Sequence, residues 1–202
     1  MDSTAWDERY AGAELIWSAG PNQFVEAELG DLPPGRALDL AGGEGRNARW
    51  LAARGWEVTA MDFSPVAIEK GRRLSEEAGD KVEWVVGDAL TAVLPPDLDL
   101  VVIAYLQLPE AERATAVRRA LDALRSGGRL LVIAHDSTNL TEGTGGPQDP
   151  SVLYTAEDVL GYLSGSGFEV VRAERVQREV TTADGHGPSG TAWDALIHVQ
   201  RT

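Results

Sequence analysis

The stretch that most constrains this chain is residues 37–48, Ala-Leu-Asp-Leu-Ala-Gly-Gly-Glu-Gly-Arg-Asn-Ala. A short apolar run (Ala37, Leu38, Leu40) reads as a buried strand. It stops in Gly42-Gly43-Glu44-Gly45 and passes at once into a helical pattern from Arg46 to Arg54. Strand, glycine-rich turn and helix N-terminus make a ligand cradle. The glycines let the backbone turn sharply and let a ligand approach where a Cβ would block it, while the free N–H groups of the helix's first turn attract an electronegative group.

The rest of the chain supplies a frame for this cradle. Residues 1–30 read as a helical cover: Trp6, Tyr10 and Trp17 are too many aromatics for a tail, and Pro21-Asn22 opens an amphipathic helix with Phe24, Val25 and Leu29 that stops at Gly30. These aromatics either pack on the sheet or close over the ligand. Trp17, just before Ser18-Ala19-Gly20-Pro21, is the candidate for closing. Beyond the cradle helix, Glu57–Asp62 is a second strand, and Ser64-Pro65 caps a helix running to Gly79. Val82–Val86 is a third strand, followed by Gly87-Asp88-Ala89. The nearly continuous apolar run Leu98–Ala104 is a central strand buried on both faces. A helix over 109–124 closes with Ser126-Gly127-Gly128 as its C-cap, and Leu130–Ala134 is a fifth strand. Residues 138–151, rich in Gly, Pro, Thr and Asn, read as a lid-like loop, and Thr155 starts another helix. Two last strands, near 168–177 and 192–200, flank a glycine-rich loop over 182–190.

Five alternations of strand and helix imply a parallel sheet, and a terminal pair of strands without an intervening helix implies a hairpin. The expected fold is therefore α/β: a Rossmann-like seven-stranded, mostly parallel sheet with a C-terminal antiparallel hairpin and helices on both faces. It forms a single domain over 1–202, with 1–30 as the cover and 31–202 as the core. At 202 residues, 43% apolar and 25% charged, the composition is that of a globular domain. The acidic N-terminus carries no apolar leader and no run approaches a membrane span, so the expected location is the cytoplasm. The absence of cysteine excludes disulfides and thiolate catalysis. A net charge of −14 disfavours nucleic acid as substrate.

Two ligand classes fit the cradle. The spacing Gly43-x-Gly45-x-x-Ala48, with Asp62 ending the next strand, formally matches a dinucleotide fingerprint. The same letters, read as acidic-x-small-x-Gly-x-Gly from Asp39 to Gly45, resemble the first motif of the class I S-adenosylmethionine-dependent methyltransferases. Asp39 favours the second: a dinucleotide loop has no use for a carboxylate inside the strand, whereas a ligand with ammonium and sulfonium charges does. The glycine loop with Arg46-Asn47, the stretch Val58–Pro65 and Gly87-Asp88 together resemble the tellurite-resistance and thiopurine-like branch that methylates small molecules. The resemblance implies S-adenosyl-L-methionine as cofactor and roles for matching positions. Asp62 would accept from the ribose hydroxyls, Phe63 would pack near the adenine, and Asp88 would accept from its amino group with the Ala89 N–H beside a ring nitrogen. Ala41 and Gly43 would contact the methionine portion, Arg46 its carboxylate, and Ala104 would border the sulfonium.

Methyl transfer is an in-line displacement on an already activated carbon, so alignment and exclusion of water are the protein's main tasks. A base is needed only for an acceptor that arrives protonated. The candidates are His135, which follows the fifth strand beside Asp136, and Tyr105 after the fourth strand. His186 lies in the hairpin loop, and His198 reads as structural. The tellurite-resistance pattern places a His-Arg pair where this chain has Val180-Thr181-Thr182-Ala183, which argues against that substrate. The fourth strand ends in Ala104-Tyr105 and not in a carboxylate, so no metal site is expected. The expected activity is methyl transfer to a small-molecule acceptor. The alternatives are an NAD-dependent oxidoreductase, against which stands the lack of a Tyr-x-x-x-Lys pair, and a non-catalytic cofactor-binding partner protein. Neither the acceptor nor the oligomeric state is encoded in these patterns.

Overall fold

A computed structural model describes residues 3–12, 20–180 and 189–202; Trp17 and His186 lie outside the described residues. Its centre is one seven-stranded sheet made of β1 (Arg36–Leu40), β2 (Glu57–Asp62), β3 (Val82–Val86), β4 (Leu98–Ala104), β5 (Leu124–His135), β6 (Phe168–Val180) and β7 (Gly190–Arg201). The order across the sheet is β3-β2-β1-β4-β5-β7-β6. The first five strands run parallel; β7 pairs antiparallel with β5, and β6 antiparallel with β7. The expected mostly parallel sheet with a terminal hairpin is therefore present.

The helices are α1 (Ser3–Ala11), α2 (Gln23–Leu29), α3 (Arg46–Ala53), α4 (Pro65–Ala78), α5 (Glu110–Ala123), α6 (Asn139–Glu142) and α7 (Ala156–Tyr162). Side chains alternate across each strand, so each central strand feeds two cores. Leu38 and Leu40 of β1, Val101 and Ile103 of β4, and Leu130 and Val132 of β5 face α5 and α7. Ala37, Leu100, Val102, Leu131 and Ile133 face the opposite layer, with Phe24, Val25 and Leu29 of α2 and Ala48 and Leu51 of α3. The same alternation puts Asp39, His135, Asp194 and His198 on the α2–α3 side.

Local chemistry sets the helix starts. Asn22 caps α2 by accepting from the Phe24 N–H, and Ser64 caps α4 by accepting from the Ala67 N–H with Pro65 at the first helical position. Thr155 and Asp158 form a reciprocal capping box on α7. The C-cap expected at Ser126-Gly127-Gly128 is not one. The helix ends at Leu124, which is already extended and paired with Leu98, and a register shift between Leu98 and Leu100 absorbs the glycines inside a longer β5. Ladder pairing with β4 outcompetes the local capping signal. The expected lid over 138–151 carries its own helix and is anchored: Asn139 donates to Gly145 O and accepts from the Trp193 N–H.

Candidate functional site

The carboxyl ends of β1 to β5 form one rim with the start of β7, and the residues expected at the site, Trp17 outside the described residues excepted, lie at or follow these strand ends. Asp39 is fully buried in β1. Its Oδ2 accepts from the Ala48 N–H at 3.0 Å, in the first turn of α3, while Oδ1 is buried with no partner. Burial lifts this carboxyl to about 7 against the opposing pull of the Ala48 N–H and the Arg46 charge. A buried carboxylate oxygen left unsatisfied beneath a glycine loop fits a cationic ligand group. Ala41 follows with φ 58°, a left-handed conformation unusual for a residue with a Cβ; Gly43 (φ 58°) and Gly45 (φ 72°) continue the turn. Arg46 opens α3 beside the rim.

Gly45 is glycine for a further reason. A Cβ there would lie 2.2 Å from Cη2 of Trp84, and a Cβ on Gly71 of α4 would lie 2.3 Å from the same ring. Trp84 of β3 therefore wedges between the loop and α4, and it sets the height of the loop. Glu44 is tied from outside: Lys70 of α4 lies 2.6 Å from its Oε1 and also donates to Tyr10 O of α1.

Asp62, at the end of β2, is nearly buried and accepts from the Gly43 N–H and the Ser64 N–H, each at 2.9 Å. It thus staples the glycine loop to the start of α4. Burial raises its carboxyl above the ordinary range, partly offset by these N–H bonds, and Asp7 of α1 adds to the rise. Asp7 itself accepts from Ser64 Oγ, so α1 closes this end of the rim. Phe63 is half-buried next to Asp62, and Asp88 is exposed, its Oδ1 accepting from the Leu90 N–H in an Asx turn with Ala89 buried behind it.

At the other end, Ala104 closes β4, and Tyr105 turns out of the strand at φ 62°. The Tyr105 hydroxyl donates to Asp194 Oδ2 at 2.7 Å and accepts from Asn22 Nδ2 at 3.1 Å. Asn47 accepts from the Asn22 N–H at 2.9 Å. The Asn of Arg46-Asn47 thereby locks the N-terminal cover to the loop. Arg178 Nε also donates to Asp194 Oδ2, at 2.7 Å. His135 stacks against Tyr105 with ring centroids 4.8 Å apart, and its Nδ1 lies 3.3 Å from Asp194 Oδ1. Burial opposes ionisation of Asp194, yet His135 and Arg178 outweigh it and hold the carboxyl below the ordinary range. Burial and the adjacent Asp194 push the Tyr105 hydroxyl well up. The neighbour that matters to His135 is therefore Asp194 and not Asp136, whose Oδ1 is occupied by Thr138. Asp194 and Arg178 carry no sequence signal of their own: they reach the rim only through the register of the terminal hairpin. His198 is structural as expected, its Nδ1 2.9 Å from Glu28.

Residues 37–128 match the family described as a methyltransferase domain. A demethylmenaquinone methyltransferase of Clavibacter sepedonicus is 34% identical over 60% of this chain and 48% of its own length. The chain spans about half the length of the first curated relatives it matches. Among solved structures, the N-methyltransferase NodS from Bradyrhizobium japonicum, in complex with S-adenosylhomocysteine, superposes with a TM-score of 0.73 over 100% of this chain and 99% of its own, at 19% identity. TehB from Haemophilus influenzae gives 0.75 over 90% and 63%, also at 19%. Residues 37–128 thus carry a methyltransferase-domain match, and the chain shares its fold with NodS and TehB.

Proposed function

We propose that this chain is a class I S-adenosylmethionine-dependent methyltransferase that moves a methyl group from S-adenosylmethionine to a small-molecule acceptor. The observation that carries the reading is Asp39, a buried carboxylate with one oxygen unpartnered beneath the glycine loop. That atom would receive the ammonium of the cofactor's amino-acid end, with Ala41, Gly43 and Arg46 around it. Asp62 has lone pairs left beyond its two N–H bonds for the ribose hydroxyls. Phe63, Asp88 and Ala89 would hold the adenine, and Ala104 would border the sulfonium. The cofactor supplies an activated methyl group; the chain supplies orientation and a water-poor rim. His135 and the ring of Tyr105 would line the acceptor end. Residues 3–12 and 20–30 act as a cover over this rim, and the net charge of −14 suits an uncharged acceptor better than a polyanion. The curated relatives are named for quinones, which makes hydroquinones reasonable members of an acceptor panel.

Calorimetry with S-adenosylhomocysteine tests the cofactor reading. The wild-type chain is expected to bind, and Asp62→Ala to bind about 10- to 100-fold more weakly, the worth of one charged hydrogen-bonding group. No binding by the wild type, or equal binding by the variant, would overturn it.

A further inference from the structure

We propose that Asp194, clamped by Arg178, is the positioning residue that makes His135 a general base, and that the acceptor is therefore a hydroxyl compound delivered in its protonated form. This rests on the methyl-transfer reading above. Asp194 sits opposite His135 in the β5–β7 register and opposite Val176 in the β6–β7 register, fully buried. Its two oxygens have different tasks. Oδ2 is saturated by Arg178 Nε and the Tyr105 hydroxyl. Oδ1 and His135 Nδ1 face each other at 3.3 Å, both buried and both without a closed hydrogen bond. Two orphaned polar atoms aimed at one another are satisfied together by a small turn of the imidazole, as expected of a site that tightens when loaded.

A carboxylate accepts only, so the ring must present Nδ1–H to it, which leaves Nε2 as the lone-pair nitrogen. Among the described residues, no other group offers a competing arrangement. Tyr105, after β4, spends its proton on Asp194 and cannot serve as the base itself. Arg178 on β6 and Asn22 before α2 reach the ring only through Asp194 and Tyr105. Asp136, next in the chain, is turned to Thr138, and the 138–148 segment brings the uncharged backbone of Gly146 against the ring. Glu142 and Arg175, farther along the rim, pair with each other.

Among the described residues the paired charges of Asp194 and Arg178 cancel beside the ring, leaving no net negative charge there to hold a cationic amine, and a thiolate or other preformed anion needs no base. A neutral hydroxyl needs one. Its proton passes to Nε2 as the oxygen lone pair forms the new bond to the methyl carbon. The carbon–sulfur bond breaks with its electron pair staying on sulfur, and the imidazolium afterwards releases its proton to water.

The test is the neutral tautomer of His135, read by long-range proton–nitrogen correlation on histidine-labelled protein and assigned with His135→Gln. The wild type is expected to carry Nδ1–H and a bare Nε2. In Asp194→Asn the carbonyl oxygen stays with Arg178 and Tyr105, so the amide NH₂ faces the ring and drives the proton to Nε2. Nε2–H in the wild type, which needs no variant to fold, overturns the proposal, as does an unchanged tautomer in the Asn variant. Calorimetry with S-adenosylhomocysteine on the same samples keeps the two readings apart. Failure of the wild type to bind it refutes the cofactor reading, whereas intact binding with the wrong tautomer refutes only the dyad.

Discussion

Replacing Gly45 with alanine separates what the fold demands of the glycine loop from what a ligand demands. At φ 72° an alanine leaves its preferred region, at about 1–2 kcal/mol, while the lost flexibility of the unfolded chain returns about 0.4–1 kcal/mol. The larger cost is steric. The new Cβ would stand 2.2 Å from Trp84 Cη2 and 2.7 Å from Cζ3, and the ring is carried on a strand laddered to β2. Overpacking of this kind costs about 1–3 kcal/mol. Gly45→Ala is therefore expected to lose about 3 kcal/mol, read as a lower urea midpoint with an unchanged slope and a Tm lower by about 6–12 °C. Trp84→Leu removes the atoms in the way. Although destabilising alone, it should make the double variant less damaged than the sum of the singles by about 1–3 kcal/mol. A Gly45→Ala loss under about 1 kcal/mol, or strict additivity with Trp84→Leu, would refute the assignment of this glycine to the tryptophan wedge.

Two further outcomes follow from the same rim. Asp39 titrates near 7 because it is buried, so the folded chain keeps a proton that the unfolded chain has released. Its contribution to stability is full below 3.8 and is lost as pH rises through about 7. A bound ammonium prefers the carboxylate, so affinity for S-adenosylhomocysteine should rise between about pH 6 and 8 and level off above. Asp39→Asn should flatten that slope, and a slope that survives the substitution contradicts the role. Ala41→Gly relieves the left-handed backbone at φ 58° and should change stability by no more than about 1 kcal/mol, in the stabilising direction, by urea titration; a loss would mean that the alanine methyl is a packing contact.

The proposed cofactor end of the site could be located in the sequence because it is local. Asp39, the glycines and Arg46 are within a few residues of one another, and Asp62 and Asp88 each end a strand that the apolar pattern marks. The proposed acceptor end could be located only in part. Tyr105 and His135 could be picked out as polar residues at strand ends, but Asp194 and Arg178 lie inside strands and look like ordinary alternation. Only pairing of β7 with β5 on one side and β6 on the other carries them to His135, and pairing over such separations leaves no trace in composition or spacing. The glycines at 127 and 128 misled for the converse reason: a strong local stop signal was overruled by the ladder between Leu98 and Leu124.

The reversed direction of β7 also divides labour within the domain. Its first residues arrive at the same edge as the last residues of β4 and β5, and the hairpin is hydrogen-bonded to the remaining strands through β5 alone. Exchanging side chains at the hairpin's outer tip therefore leaves the ladders of β1 to β4 in place. On the proposed reading, substrate choice and donor capture fall to different modules of one sheet, and laboratory evolution aimed at new acceptors has a short target in residues 176–180 and 190–194, with Arg178 and Asp194 kept.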